Sequence, residues 1–143
     1  MVIHLLTLLL AQTMFSGLPI DGIRCDASEG AVQHIHSFLH ISDRGRAVEV
    51  PAGVGIPEGG QCLYWVHTHS ADGMIHIESP VKRTFTLGQF FDVWGQPLSR
   101  TAAASARAPH GRTLRVSVNG KSWKGDPRTI PLRDHEDIRI SSS

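Results

Sequence analysis

Hydrophobic and polar residues alternate in short stretches beyond residue 20, a pattern that predicts β-strands. In residues 32–41 every second position from 34 to 40 reads His, His, Phe, His, and the positions between them read Ile, Ser, Leu. Successive side chains of a strand project from opposite faces, so the histidines of this strand share one face. The turn residues at 43–46 then predict a returning strand over 47–50.

A second hairpin is predicted in the middle of the chain, after a loop rich in Gly and Pro at 51–60. Residues 62–69 favour a strand because they include Leu, Tyr, Trp and Val. Asp72 and Gly73 form the strongest type of short hairpin signal. Residues 74–78 are the returning strand, which a proline ends soon afterwards.

One short helix is predicted at about 86–94. Thr86 and Gln89 have the spacing of a capping box, in which each side chain bonds the backbone of the other. Gly95 and Pro97 end the apolar stretch that follows.

The rest of the chain adds strands but no further helix. Residues 98–111 are rich in Ala, Ser and Arg and predict a loop, whereas Asn119 and Gly120 mark a hairpin turn. A last strand is expected at 138–140. We therefore expect residues 20–143 to form a single mainly β domain, a small sandwich or open barrel of antiparallel hairpins with one short helix.

The first 19 residues carry no charged side chain and include a short apolar core at 5–10. This core is shorter than the roughly 20 residues that a membrane-spanning helix needs, so no stable membrane span is expected. Residues 1–19 are either a signal peptide or an apolar N-terminal element.

Histidine is the unusual component of the composition. The chain has 14 basic and 13 acidic residues, and this net charge of +1 argues against nucleic acid as a partner. It has nine histidines, six of which lie in the two stretches 34–40 and 67–76. Imidazole is the commonest metal ligand among side chains, so a metal ion is the expected partner. Nothing in the sequence identifies a protein partner.

The central hairpin brings several of these histidines together. With a two-residue turn at 72–73, His69 lies opposite His76. Two positions further along the strands, His67 then lies opposite Glu78. With a four-residue turn His67 lies opposite His76 instead, and the same four side chains still share one face. Opposed Cβ atoms are roughly 4.5–5.5 Å apart, which allows imidazoles to converge on one ion.

Three imidazoles and a carboxylate suit zinc, copper(II), iron or nickel, whereas calcium and magnesium prefer oxygen ligands. We expect zinc or copper at the four hairpin residues. His34 and His36 are a second His-x-His pair, which either joins this site, forms a separate one or faces water. The alternative for the whole set is a hydrogen-bonded polar cluster without metal.

Cys25 and Cys62 are far apart and belong to no CxxC pair, which argues against a zinc knuckle. They form one disulfide if the protein is exported, or remain two buried thiols if it stays in the cytosol.

Two long segments of the chain are distinctive, CLYWVHTHSADGMIHIESP at 62–80 and RTFTLGQFFDVWGQPLS at 83–99. Together with HIHSFLHI, VPAGVGI and VNGKSWKGDPRTIPL, they make most of residues 20–140 similar to a group of small exported bacterial proteins of unassigned function. The resemblance implies a periplasmic or extracellular location, and hence a disulfide between Cys25 and Cys62. The group often has Asp after the second His-x-His, where this chain has Ser70, so any contribution of that Asp is missing here.

Three functions remain open from the sequence. We favour an exported, histidine-rich transition-metal-binding protein with its site on a β-hairpin face. The alternatives are a small hydrolytic or oxygen-using metalloenzyme, with Glu78 as ligand or general base, and a structural or interaction domain without metal. The chain has neither a Gly-rich phosphate loop nor a G-x-S-x-G nucleophile motif, so the sequence leaves open whether it is an enzyme.

Overall fold

The computed structural model describes residues 17–143 and shows a mainly β protein with one α-helix in that range. In chain order the strands are β1 (Cys25–Asp26), β2 (Gln33–Asp43), β3 (Arg46–Val48), β4 (Leu63–Tyr64), β5 (Val66–His67), β6 (Met74–Ser79), β7 (Ala102–Ala103), β8 (Ala106–Arg107), β9 (Arg115–Val118), β10 (Lys121–Ser122) and β11 (Glu136–Ser142). The helix α1 spans Leu87–Trp94, and a short 3-10 helix spans Pro127–Thr129. Most of residues 1–19, the predicted signal peptide or apolar segment, lie outside the described residues.

The main sheet has the strand order β10-β9-β11-β2-β6-β5, with β3 also paired to β2. The remaining strands form two small sheets, β1–β4 and β7–β8. The main sheet is not closed into a barrel, and the predicted mainly β class with one short helix is confirmed. The pairing of β11 with β2 was not predicted: the two strands are parallel, with Glu136 opposite Ser37 and Ser142 opposite Asp43.

The predicted alternation along β2 is confirmed. Leu39 and Ile41 are buried, and they pack in one hydrophobic core with the aliphatic residues of β6 and β11. Phe90 and Phe91 of α1 belong to the same core. The polar face of β2 is therefore left for the histidines.

The predicted helix and its capping box are also confirmed. The Thr86 hydroxyl accepts a hydrogen bond from the Gln89 backbone N–H, and the Gln89 side chain accepts one from the Thr86 N–H. Gly95 follows the helix with a φ of 75°, the left-handed conformation that glycine adopts without steric cost.

The predicted continuous strand at 62–69 is wrong, because the chain bends at Trp65. Its indole N–H donates to Asp26 over 2.7 Å, and β4 before it pairs with β1 rather than with β6. The strand β5 then ends at His67, because the backbone of Thr68 bonds to Gly53 and Val54 in the preceding loop.

The register with a two-residue turn is likewise wrong, and the alternative pairing of His67 with His76 is the one observed. Gly73 does not turn back toward β5. Its carbonyl accepts a hydrogen bond of 2.8 Å from the Leu39 N–H of β2, so the connection between β5 and β6 is longer than predicted. The predicted loop at 98–111 also differs, because it contains the small hairpin β7–β8.

Cys25 and Cys62 form a disulfide, which confirms the pairing that the resemblance implied. It links the start of β1 to the residue before β4. In residues 17–143 no helix has both the length and the apolar character needed to cross a membrane.

Candidate metal centre

The centre is built on three neighbouring strands whose histidines stand side by side. His76 of the middle strand β6 lies between His36 on β2 and His67 on β5. Two positions along β6, Glu78 lies opposite His34 on β2. Residues two apart on a strand project from the same face, so these five side chains are neighbours on one face of the sheet.

The strand that carries His36 is held firmly from its other side. The His36 N–H donates to the Asp134 carboxylate over 3.1 Å, and its carbonyl accepts a hydrogen bond of 2.8 Å from the His135 N–H. The segment leading into β11 therefore fixes the backbone of His36. A ligand on such a paired strand is better positioned than one on a loop.

Two further side chains reach the centre from outside the strands. His69 lies just after β5, and Glu29 lies between β1 and β2. The Glu29 Oε1 atom is 3.1 Å from His69 Nε2 and 4.0 Å from His67 Nε2.

The segment that carries Glu29 is packed closely against the end of β6. Val32 N–H donates to the Ser79 carbonyl over 3.1 Å. A Cβ atom added to Gly30 would lie 2.3 Å from the Pro80 nitrogen, so only glycine fits at this position. Glu29 was not predicted from the sequence as a site residue. The one sequence feature that could have pointed to Glu29 is its position four residues after Cys25, whose disulfide brings it near the hairpin.

The seven side chains form two groups that share Glu78. The first group is His34, His36, His76 and Glu78, and the second is Glu29, His67, His69 and Glu78. Within each group the ligand atoms all lie within 4.8 Å of one another. The four predicted residues are divided between the groups, with His76 in the first, His67 and His69 in the second and Glu78 in both. His34 and His36 join the cluster through the first group.

The two oxygens of Glu78 face different groups. Oε1 lies 3.1 Å from His34 Nε2 and 3.4 Å from His76 Nδ1. Oε2 lies 3.6 Å from His67 Nε2. Two ligands bound about 2.0–2.1 Å from a tetrahedral ion are about 3.3–3.4 Å apart, so these separations are close to those between ligands of one metal ion.

Three of the facing atoms are buried without a hydrogen-bond partner: His67 Nε2, His76 Nδ1 and Glu78 Oε2. His67 is fully buried and Glu78 is 3% exposed. Buried polar atoms nearly always have a partner, because an unpaired one costs about 1–3 kcal/mol. His67 Nε2 faces Glu78 Oε2 in the second group and His76 Nδ1 faces Glu78 Oε1 in the first, an arrangement that fits metal ions placed beside the carboxylate.

The orientation of His67 leaves one ring nitrogen available to a metal. Its Nδ1 atom is 2.7 Å from the Tyr64 carbonyl, which accepts hydrogen bonds only, so Nδ1 carries the hydrogen. In neutral imidazole the lone pair then lies on Nε2, which faces Glu78 and Glu29. Metal-binding histidines are commonly fixed in this way by a backbone carbonyl.

Burial changes the protonation of the central residues. It lowers the pKa of His76 to about 4, with a further contribution from the neighbouring His69, His36 and His67. His76 is therefore neutral at pH 7, the form that binds metals. Burial raises the pKa of Glu78 to about 7, reinforced by a hydrogen bond with the Glu29 carboxylate and by the negative charge of that group.

The other described histidines lie outside both groups. His40 pairs with Asp137, His135 is 83% exposed beside Asp134, and His110 is exposed. His4 lies outside the described residues. Cys25 and Cys62 are joined in the disulfide and offer no thiolate.

The chain shows no significant similarity to protein-family models, to curated proteins or to solved structures.

Proposed function

We propose that this protein binds zinc or copper in the cluster of histidines and glutamates on its main sheet, and that it is exported. The observation that carries the proposal is that two buried nitrogens, His67 Nε2 and His76 Nδ1, have no hydrogen-bond partner and face the Glu78 carboxylate. A purely hydrogen-bonded polar cluster is expected to pair such atoms with one another. A metal ion bound between each nitrogen and Glu78 would satisfy that nitrogen, and the separations of 3.6 Å and 3.4 Å are close to those between two ligands of one ion.

The donor atoms support zinc and copper(II) over other ions. Five imidazoles and two carboxylates supply nitrogen and oxygen, which suit ions of intermediate softness. Copper(I) prefers sulfur ligands, and both cysteines are already joined in the disulfide.

Export is supported by the Cys25–Cys62 disulfide, since disulfides persist in the periplasm and outside cells and are rare in the cytosol. The resemblance to exported bacterial proteins supports the same location.

Binding is favoured over catalysis because two grooves formed by the described residues lie away from the cluster. A groove of about 1120 Å³ lies between the turn after β2 and the β9–β10 hairpin, and a smaller one borders the 51–57 loop. None of the seven cluster residues lines either groove.

A metalloenzyme is the second candidate, because the outer side of the cluster is open to solvent. The side chains of His34, His69 and Glu29 are 57%, 41% and 44% exposed. Water can reach a metal from this side, as hydrolytic zinc chemistry requires. Addition of azide to cobalt(II)-substituted protein tests this: a shift in the visible spectrum supports an open position, and an unchanged spectrum supports a closed binding site.

The proposed function is tested by purifying the untagged full-length protein without chelator and measuring its metals by elemental mass spectrometry. We expect stoichiometric zinc or copper, and its loss in the double variant His67→Ala/His76→Ala. The control His40→Ala/His110→Ala removes two exposed histidines outside the cluster and should keep the metal. Metal-free wild-type protein that also fails to bind zinc or copper on titration would contradict the proposal.

A further inference from the structure

We infer that the cluster binds two metal ions, with the Glu78 carboxylate as a bridge between them. This inference rests on the proposed function and adds the number of ions and their arrangement.

The number of ligands is too large for one ion. Seven side chains of the described residues belong to the cluster, whereas a protein-bound zinc ion takes four ligands. Two groups of four that share one member account for all seven. Each group has enough donors for a complete tetrahedral site without ligands from elsewhere.

The position of Glu78 matches that of a bridge. It lies on the middle strand, with the first group toward β2 and the second toward β5. Its Oε1 atom faces His34 and His76, and its Oε2 atom faces His67. A carboxylate that chelated a single ion would direct both oxygens at the same set of nitrogens.

The two carboxylates of the cluster lie where they would reduce the repulsion between two ions. Two divalent ions bring four positive charges, and their repulsion is reduced by anionic ligands between and beside them. Glu78 lies between the groups, and Glu29 belongs to the second group. The second group thus has two carboxylates and two imidazoles, while the first has one carboxylate and three imidazoles.

The two groups differ in how firmly their ligands are held. All four ligands of the first group lie on the paired strands β2 and β6. In the second group only His67 and Glu78 lie on strands, because His69 follows β5 and Glu29 lies between β1 and β2. We expect the first ion to bind more tightly, since its ligands need less ordering.

The test uses the full-length protein loaded with excess zinc, dialysed and analysed for zinc per chain. We expect about two ions in the wild type and about one each in His36→Ala and His69→Ala, which alter the first and the second group respectively. The double variant should retain none. His40→Ala, which removes a histidine of β2 outside the cluster, should retain two. Circular dichroism of each metal-free variant checks that it is folded.

The outcomes separate this inference from the proposed function. One zinc per wild-type chain, lost in both single variants, overturns the two-ion inference while metal binding stands. No zinc in the wild type overturns both.

A second measurement needs no variant. Protein loaded with two equivalents of copper(II) should show the half-field electron paramagnetic resonance line of two ions about 3.5–4 Å apart, the separation typical of two-metal sites. Spectra of isolated copper ions at full loading would overturn the bridge.

Discussion

At the scale of single residues, the protonation of Glu78 determines the charge at the middle of the cluster. Its carboxylate is 3% exposed and has histidine nitrogens on both sides. An ionised carboxylate is costly to bury without a cation beside it, so the metal-free protein keeps this group protonated up to a pKa of about 7. A metal ion supplies the missing charge and releases that proton.

The raised pKa makes stability depend on pH in a way that the substitution Glu78→Gln removes. From the ordinary value of 4.5 up to about 7, the folded state holds a proton that the unfolded state has released. The unfolding free energy of the metal-free wild type therefore falls as pH rises through that range. Glutamine does not titrate, so the variant should gain stability relative to the wild type between these pH values.

Urea unfolding in the presence of chelator, at pH values from 4 to 8, measures this difference. His76 is present in both proteins, so its own titration largely cancels. A stability difference that stays constant across the range would contradict the protonation assigned to Glu78.

Glu29 shows what could not be predicted for a single residue. It lies in a short polar segment with no periodic pattern, and its partners His67 and His69 are about 40 residues away. Long-range contacts, among them the disulfide and the packing of Gly30 on Pro80, bring it to the cluster. The hairpin histidines could be predicted because alternation along a strand needs no knowledge of distant contacts.

At the scale of elements, the connection between β5 and β6 determines which histidines lie opposite each other. The shared face was predictable from the period of two, but the register was not. The register depends on two contacts with other parts of the chain, Thr68 with Val54 and Gly73 with Leu39. The Asp-Gly signal was correct about the presence of a turn and wrong about its length.

Substitution of Gly73 by Ala should disturb this connection. Gly73 has a φ of 83°, and a Cβ atom there would lie 2.4 Å from the Leu39 carbonyl oxygen. The left-handed conformation alone costs a non-glycine residue roughly 1–2 kcal/mol. We expect Gly73→Ala to exceed that cost, because the clash is with backbone, and to weaken zinc binding by moving β6.

Gly45→Ala is the matched control. Its φ is 80°, and nothing lies within 4 Å of the added Cβ atom. It should show the conformational cost alone and leave zinc affinity unchanged. Equal losses of stability in urea for the two variants would contradict the role given to the Gly73 contact.

At the scale of the whole molecule, long-range connections decide which strands become neighbours. The mainly β class was predictable from local alternation and turn residues. The parallel pairing of β11 with β2 was not, because it joins segments about 100 residues apart that share no local signal. This pairing holds β2, which carries His34 and His36, and the disulfide holds the segment that carries Glu29.

Removal of the disulfide should affect both stability and one of the two metal groups. A link between residues 37 apart stabilises a protein by about 3–4 kcal/mol through the unfolded chain. We expect Cys25→Ser/Cys62→Ser to lose about this much in urea unfolding. Its zinc content should fall from about two toward one, because Glu29 is no longer held near His69. Combining the cysteine variant with His36→Ala or His69→Ala shows which group has lost zinc. An equal loss of zinc from both groups would contradict this expectation.

We propose that a transition metal binds between the histidines and glutamates of the main sheet. The most direct test of this proposal is a crystal structure of the zinc-loaded protein with anomalous difference data at the zinc edge. We expect anomalous peaks within about 2.0–2.2 Å of ring nitrogens of His67 and His76, on either side of the Glu78 carboxylate. A map without any peak in this cluster, or with zinc bound only at other histidines such as His40 or His110, would contradict it.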